Sequence, residues 1–115
     1  MHAALPDTLS PVVRAALSEA IPALGDLYSS RLRHLVLFGS QARGEAHSES
    51  DVDVLVVLSE ELDYVAEVRR LLDIMMRLLD RFEVVVSFKP VSLSTYRNTE
   101  HPLMINIHRE GAVLV

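Results

Sequence analysis

Apolar residues fall along this chain in two periods, and the switches between them mark out the elements. Val13, Leu17, Ala20, Ile21, Leu24 and Leu27 lie three or four positions apart, which is one face of a helix. Ser10 and Pro11 open that helix, serine as a cap for orphan amides and proline at the first helical position. Pro22 is expected to bend or divide it. His34 to Phe38 is short, apolar and closed by Gly39-Ser40, the pattern of a buried strand running into a turn. A polar loop, Glu45 to Ser50, leads to a second strand at Val52 to Leu58.

From Glu60 to Asp80 the helical period returns. Leu62, Val65, Val68, Leu71, Leu72, Met75, Leu78 and Leu79 form a stripe expected to cover the sheet. Glu83 to Val91 holds the β-branched cluster Val84-Val85-Val86 and reads as a third strand, with Pro90 placing its end at an edge. A short helix around Leu103 to His108, a stop at Gly111 and a last apolar piece, Ala112 to Val115, complete the order helix, strand, strand, helix, strand, helix, strand.

With no repeat or low-complexity linker in 115 residues, residues 1–115 are expected to form a single domain. Half of the residues are hydrophobic and 23% charged, enough apolar surface to offset the ordering cost of folding. A net charge of −5 argues against a broad grip on nucleic acid, so no direct nucleic-acid binding is expected. The chain has no cysteine, which excludes disulfides and thiolate metal sites and suits a reducing cytosol. Met1 to Ser10 lacks a basic and apolar leader, and no apolar run approaches the ~20 residues needed to span a bilayer. The expectation is a soluble, unprocessed cytoplasmic protein.

The chemistry is concentrated between His34 and Val57. Gly39-Ser40 follows an apolar strand, where glycine lets a phosphate approach the backbone and Ser40 supplies an amide and a hydroxyl. Asp51 and Asp53 are one residue apart in strand-like sequence, so both carboxylates share a face while Val52 and Val54 point the other way. Adjacent like charges call for a cation, and magnesium suits one or two carboxylates plus substrate phosphates. Such a metal would clamp a triphosphate while the α-phosphate is attacked.

Gly39-Ser40, ten intervening residues, then Asp51-x-Asp53, within Phe38-Gly39-Ser40-x-Ala42-Arg43-Gly44 and with Ser50 before Asp51, resembles the signature of the minimal nucleotidyltransferases of the DNA polymerase β-like superfamily. The closing run Ile107 to Leu114 is similar too, so the likeness reaches most of the chain from His34 onward. The resemblance implies an α/β (α+β) fold, a small mixed sheet with helices packed on one side. It implies that Ser40, with Gly39, contacts nucleotide phosphates, that Asp51 and Asp53 bind Mg2+, and that Arg43 lies near the phosphates. It also implies a role: family members accompany a helical HEPN-type toxin as antitoxins, and some transfer AMP from ATP to a tyrosine of that partner.

The family generally carries a third carboxylate on the next strand as general base. Here Val85 aligns with it, and Glu83, two residues earlier on the same face of the expected strand, is the candidate replacement. Blander roles stand beside these. Arg43 pairs with Glu45 or Glu49 at the surface, and Ser50 caps a turn instead of touching ligand. The five histidines have no zinc-like spacing. Three functions follow: an enzyme transferring a nucleotide to a hydroxyl, that of a protein tyrosine; a weak or inactive nucleotide-binding module that neutralises a partner by contact; and, less in keeping with the short chain, a small-molecule nucleotidyltransferase. A half-open site without a lid suggests that a second subunit, in a homo- or hetero-oligomer, supplies the acceptor.

Overall fold

The computed structural model describes residues 5–47 and 50–115. Its helices are α1 (Pro11–Tyr28), α2 (Ser40–Arg43), α3 (Tyr64–Phe82), α4 (Leu93–Tyr96) and α5 (Pro102–Glu110). Its strands are β1 (Leu32–Phe38), β2 (Val52–Leu58), β3 (Val86–Ser92) and β4 (Ala112–Val113), ordered β3-β2-β1-β4 in one mixed sheet. β2 runs antiparallel to β1 and parallel to β3, and β4 runs antiparallel to β1. The parallel pair needs a crossover, which α3 supplies.

Alternation along the strands divides the core in two. Leu35, Leu37, Val52, Val54, Val56, Leu58 and Val86 face α1 and α3, packing with Leu17, Leu24, Leu71 and Leu78. Val36, Leu55 and Val57 face the other way, toward Leu93 of α4 and Met104 and Ile107 of α5. The two long helices therefore share one side of the sheet, as expected, while the two short ones cover part of the opposite side. Leu35, Leu37, Leu55 and Leu58 are fully buried, and each such side chain contributes about 1.5–3 kcal/mol relative to exposure.

Ser10 caps α1, its Oγ accepting from the Val13 amide. Pro22 does not divide the helix, which runs unbroken to Tyr28. The exposed ring points away from the core, while Ala16, Leu17, Ala20, Leu24 and Tyr28 bury the opposite face and hold the helix together.

Three further sequence expectations need correction. Helix α3 begins at Tyr64, where Asp63 caps it, and it buries Glu67, Leu71, Ile74 and Leu78; Val65, Val68, Leu72 and Leu79 are exposed. The apolar sector is wider than the one line of contact a helix makes with a sheet, and periodicity does not say which half packs. The third strand starts at Val86, because Glu83 takes a left-handed conformation (φ 55°) that ends α3, its amide bonding to Leu79 O. Glu83 and Val85 therefore do not share a strand face. Short helices α2 and α4 had no long apolar period to reveal them.

Pro90 lies on the edge strand, as expected. The Val52 amide donates to Val85 O, and in the parallel register residues 85, 87, 89 and 91 then bond toward β2. Pro90 falls among the outward positions, where a missing N–H breaks no ladder bond. Gly111 follows α5 in extended backbone where there is no room for a side chain: a Cβ there would lie 2.8 Å from Val36 Cγ1.

Candidate active site

The chemistry-bearing residues meet at one end of the sheet. β1 ends at Phe38 and turns through Gly39 into α2, and Phe38 pairs with Asp53 near the start of antiparallel β2. Gly39 has φ 74° and ψ −155°, a region essentially confined to glycine. Its lack of a side chain matters as well, because a Cβ there would lie 2.6 Å from Asp53 Oδ2. The turn therefore lays bare backbone against a carboxylate. Ser40 opens α2, whose first amides, like those of any helix, have no partner within it.

Asp53 lies on β2, on the sheet face shared with Leu55 and Val57, and Asp51 is the residue immediately before the strand. Val52 and Val54 are buried on the other face. The Asp53 carboxyl is held above its ordinary range, first by partial burial and then by the charge of Asp51, with Arg43 opposing both. The pair is thus electrostatically strained, and one guanidinium only partly relieves it. Arg43 also bonds Glu45 (Nε to Oε2, 3.2 Å) and faces Glu110 at the end of α5 (3.6 Å). Glu49, its alternative partner in sequence, lies outside the described residues, as does His2.

Ser50 takes a turn role: its Oγ accepts from the His47 amide at 2.9 Å and its own amide donates to His47 O at 3.0 Å. Ser50 and Asp51 also line a cleft of about 470 Å³ between the start of α1 and the end of α3. Its walls include Ser10, Val12, Gln41, His47, Glu83 and Val85. Glu83 reaches this cleft from the helix cap and not from a strand, so turn geometry brings it to the same space as Asp51. Gly39, Ser40 and Asp53 do not line this cleft, so of the two aspartates it is Asp51 that borders it.

Strand β3 brings no acid to the site. Ser87 is the register partner of Asp53, and Val85 stands one step earlier, beside Asp51. Three residues of the site escaped the sequence reading: Ser87, Gln41 and Glu110. Gln41 carried a signal, being a polar residue within the Gly39 to Gly44 motif that proves 5% exposed. Glu110 carried none, since only the fold brings the end of α5 to Arg43.

The donor set suits a divalent oxygen-liganded cation. Two carboxylates repel across a partly desolvated space, and among the described residues no group of three His, Cys, Asp or Glu forms a closed cage.

The model of the polymerase beta nucleotidyltransferase family matches residues 27–115. The chain belongs to this family. A Methanocaldococcus jannaschii protein that bears the name protein adenylyltransferase is 38% identical over 72 residues, which cover 63% of this chain and 66% of that relative. The match thus spans just under two thirds of the relative's length. Among solved structures, a toxin–antitoxin complex with AMP-PNP aligns at TM-score 0.60 and 23% identity, covering 84% of this chain and 71% of that one. A Shewanella oneidensis MNT antitoxin complex with a tri-AMPylated HEPN toxin aligns at TM-score 0.54 and 19% identity, covering 89% and 71%. At these identities the structures establish the nucleotidyltransferase-like fold. Among the described residues no helix is long and apolar enough to cross a membrane.

Proposed function

We propose that this chain transfers a nucleoside monophosphate, AMP from ATP, to a hydroxyl group, that of a tyrosine on a HEPN-type partner, and so acts as an antitoxin. The observation that carries the reading is the pairing of Asp51 and Asp53 beside the Gly39-Ser40 turn within a family of nucleotidyltransferases. Asp51 and Asp53 would hold Mg2+, which when bound supplies charge neutralisation along the polyphosphate. Gly39 admits the phosphates to the backbone, and Ser40 offers them an amide and a hydroxyl. Arg43 adds positive charge at the same end of the sheet. Glu83 lines the cleft that Asp51 borders and is the candidate to receive the proton of an incoming hydroxyl. The names of the relatives, a protein adenylyltransferase and an antitoxin with an AMPylated toxin, support this acceptor class.

The test is transfer of label from α-labelled ATP in the presence of magnesium to a co-purified helical partner. Transfer should disappear in Asp51→Asn and in Asp53→Asn; activity that survives in both rules out the mechanism.

A second reading is favoured by one observation, the absence of a carboxylate at Ser87 on β3 and at Val85 just before it. In it the domain binds nucleotide and neutralises its partner by contact alone. Protection from the toxin that persists in both aspartate variants would select it.

A further inference from the structure

Helix α3 exposes a second apolar seam that the core does not use. Val65, Val68, Leu72, Met76 and Leu79 recur at spacings of three and four along the side away from Leu71 and Leu78. Val65 is 59% exposed, Leu72 44% and Met76 51%. Scattered surface leucines need no explanation, but a continuous stripe over four turns has the period with which one helix packs against another.

We infer that α3 is a self-association surface, with two copies of this chain pairing their α3 helices antiparallel about a two-fold axis at Leu72. The seam is symmetric about that residue: Val65 would meet Leu79 of the second copy, Val68 would meet Met76, and Leu72 would meet itself. The charges on its flank single out this arrangement. Arg69 and Asp73 lie on the same side of the seam, and among the described residues neither has an ion-pair partner. Antiparallel pairing brings Arg69 of each copy within one helical turn of Asp73 of the other, twice by symmetry. Parallel pairing would put these flanks on opposite sides of the seam, so that Arg69 and Asp73 of the two copies could not meet. The neighbouring strand edge is a poorer contact, because Pro90 occupies one of the outward positions of β3 and has no N–H to donate. This inference stands apart from the reading of the nucleotide site.

Sedimentation equilibrium of the full chain at micromolar concentration should show a dimer. Leu72→Lys should weaken the dimer at least about tenfold while leaving helix content and melting of the monomer unchanged, since Leu72 is outside the core. Arg69→Asp should weaken it, and Arg69→Asp combined with Asp73→Arg should restore it. The chain has no cysteine, so Leu72→Cys should give one oxidised cross-link across the axis, whereas Ser18→Cys on exposed α1 should give none. A monomeric wild type, a dimer indifferent to Leu72→Lys, or a seam that binds only an unrelated protein would each overturn the inference.

Discussion

The Asp53 carboxylate lies against the bare Cα of Gly39, so close that a single added carbon would stand 2.6 Å from Oδ2. Gly39→Ala is therefore expected to act twice. The backbone at φ 74° and ψ −155° resists a side chain, with a cost of about 1–3 kcal/mol, and the methyl group displaces Asp53. Thermal melting should show the destabilisation, and calorimetry with Mg-ATP should show lost binding. A variant that binds as well as wild type would mean that Asp53 is not held in place by this contact.

Asp53→Asn should stabilise the metal-free protein while abolishing transfer. The sign follows from the raised Asp53 carboxyl: the folded state holds this proton more tightly than the unfolded chain, so stability falls as pH rises from the ordinary aspartate value of 3.8 through the raised one. At neutral pH the ionised pair opposes folding. The asparagine variant should melt higher without magnesium, and magnesium should raise the melting temperature of the wild type only.

Glu83 and Val85 separate a working base from its absence. If Glu83 accepts the proton, Glu83→Gln lowers kcat by about 10²–10⁴ with little change in nucleotide binding. Val85→Asp places a carboxylate beside Asp51 and should rescue that loss. Single-turnover kinetics on the two variants and their combination would show it, and an unchanged rate in Glu83→Gln removes Glu83 from the chemistry.

Tyr28 makes the fold sensitive to alkali. Its hydroxyl is buried without a well-formed hydrogen bond, and burial, together with the nearby charge of Glu67, pushes its deprotonation well above the ordinary value of 10; Arg31 and Arg70 offset part of this. The folded state keeps the proton more tightly, so stability is full below pH 10 and declines as pH rises beyond it. Urea denaturation across that range should give a shallower decline for Tyr28→Phe. Tyr96, raised by its own burial, should keep part of the slope.

The sequence by itself determined the longer elements and their order. Strand β2 falls at Val52 to Leu58 as read, because a short β-branched, apolar run interrupted only by Asp53 follows a polar loop. Ser10, Pro11 and Gly39 mark boundaries through local backbone chemistry, which a linear reading can reach. The spacing of Asp51 and Asp53 at the start of β2 keeps the two carboxylates near enough for the charge of Asp51 to act on Asp53.

Only the tertiary structure decided what depends on neighbours distant in sequence. It chose Leu71 and Leu78 over Leu72 and Leu79 as the buried half of α3, since a helix with a wide apolar sector is steered by the surface it meets. It turned Glu83 out of the strand, where a helix cap in left-handed geometry overrode the β-branched run after it. It also brought Glu110 to Arg43 and joined the start of α1 to the end of α3 around Asp51. Those proximities come from chain crossings, and no periodicity along a single segment encodes them.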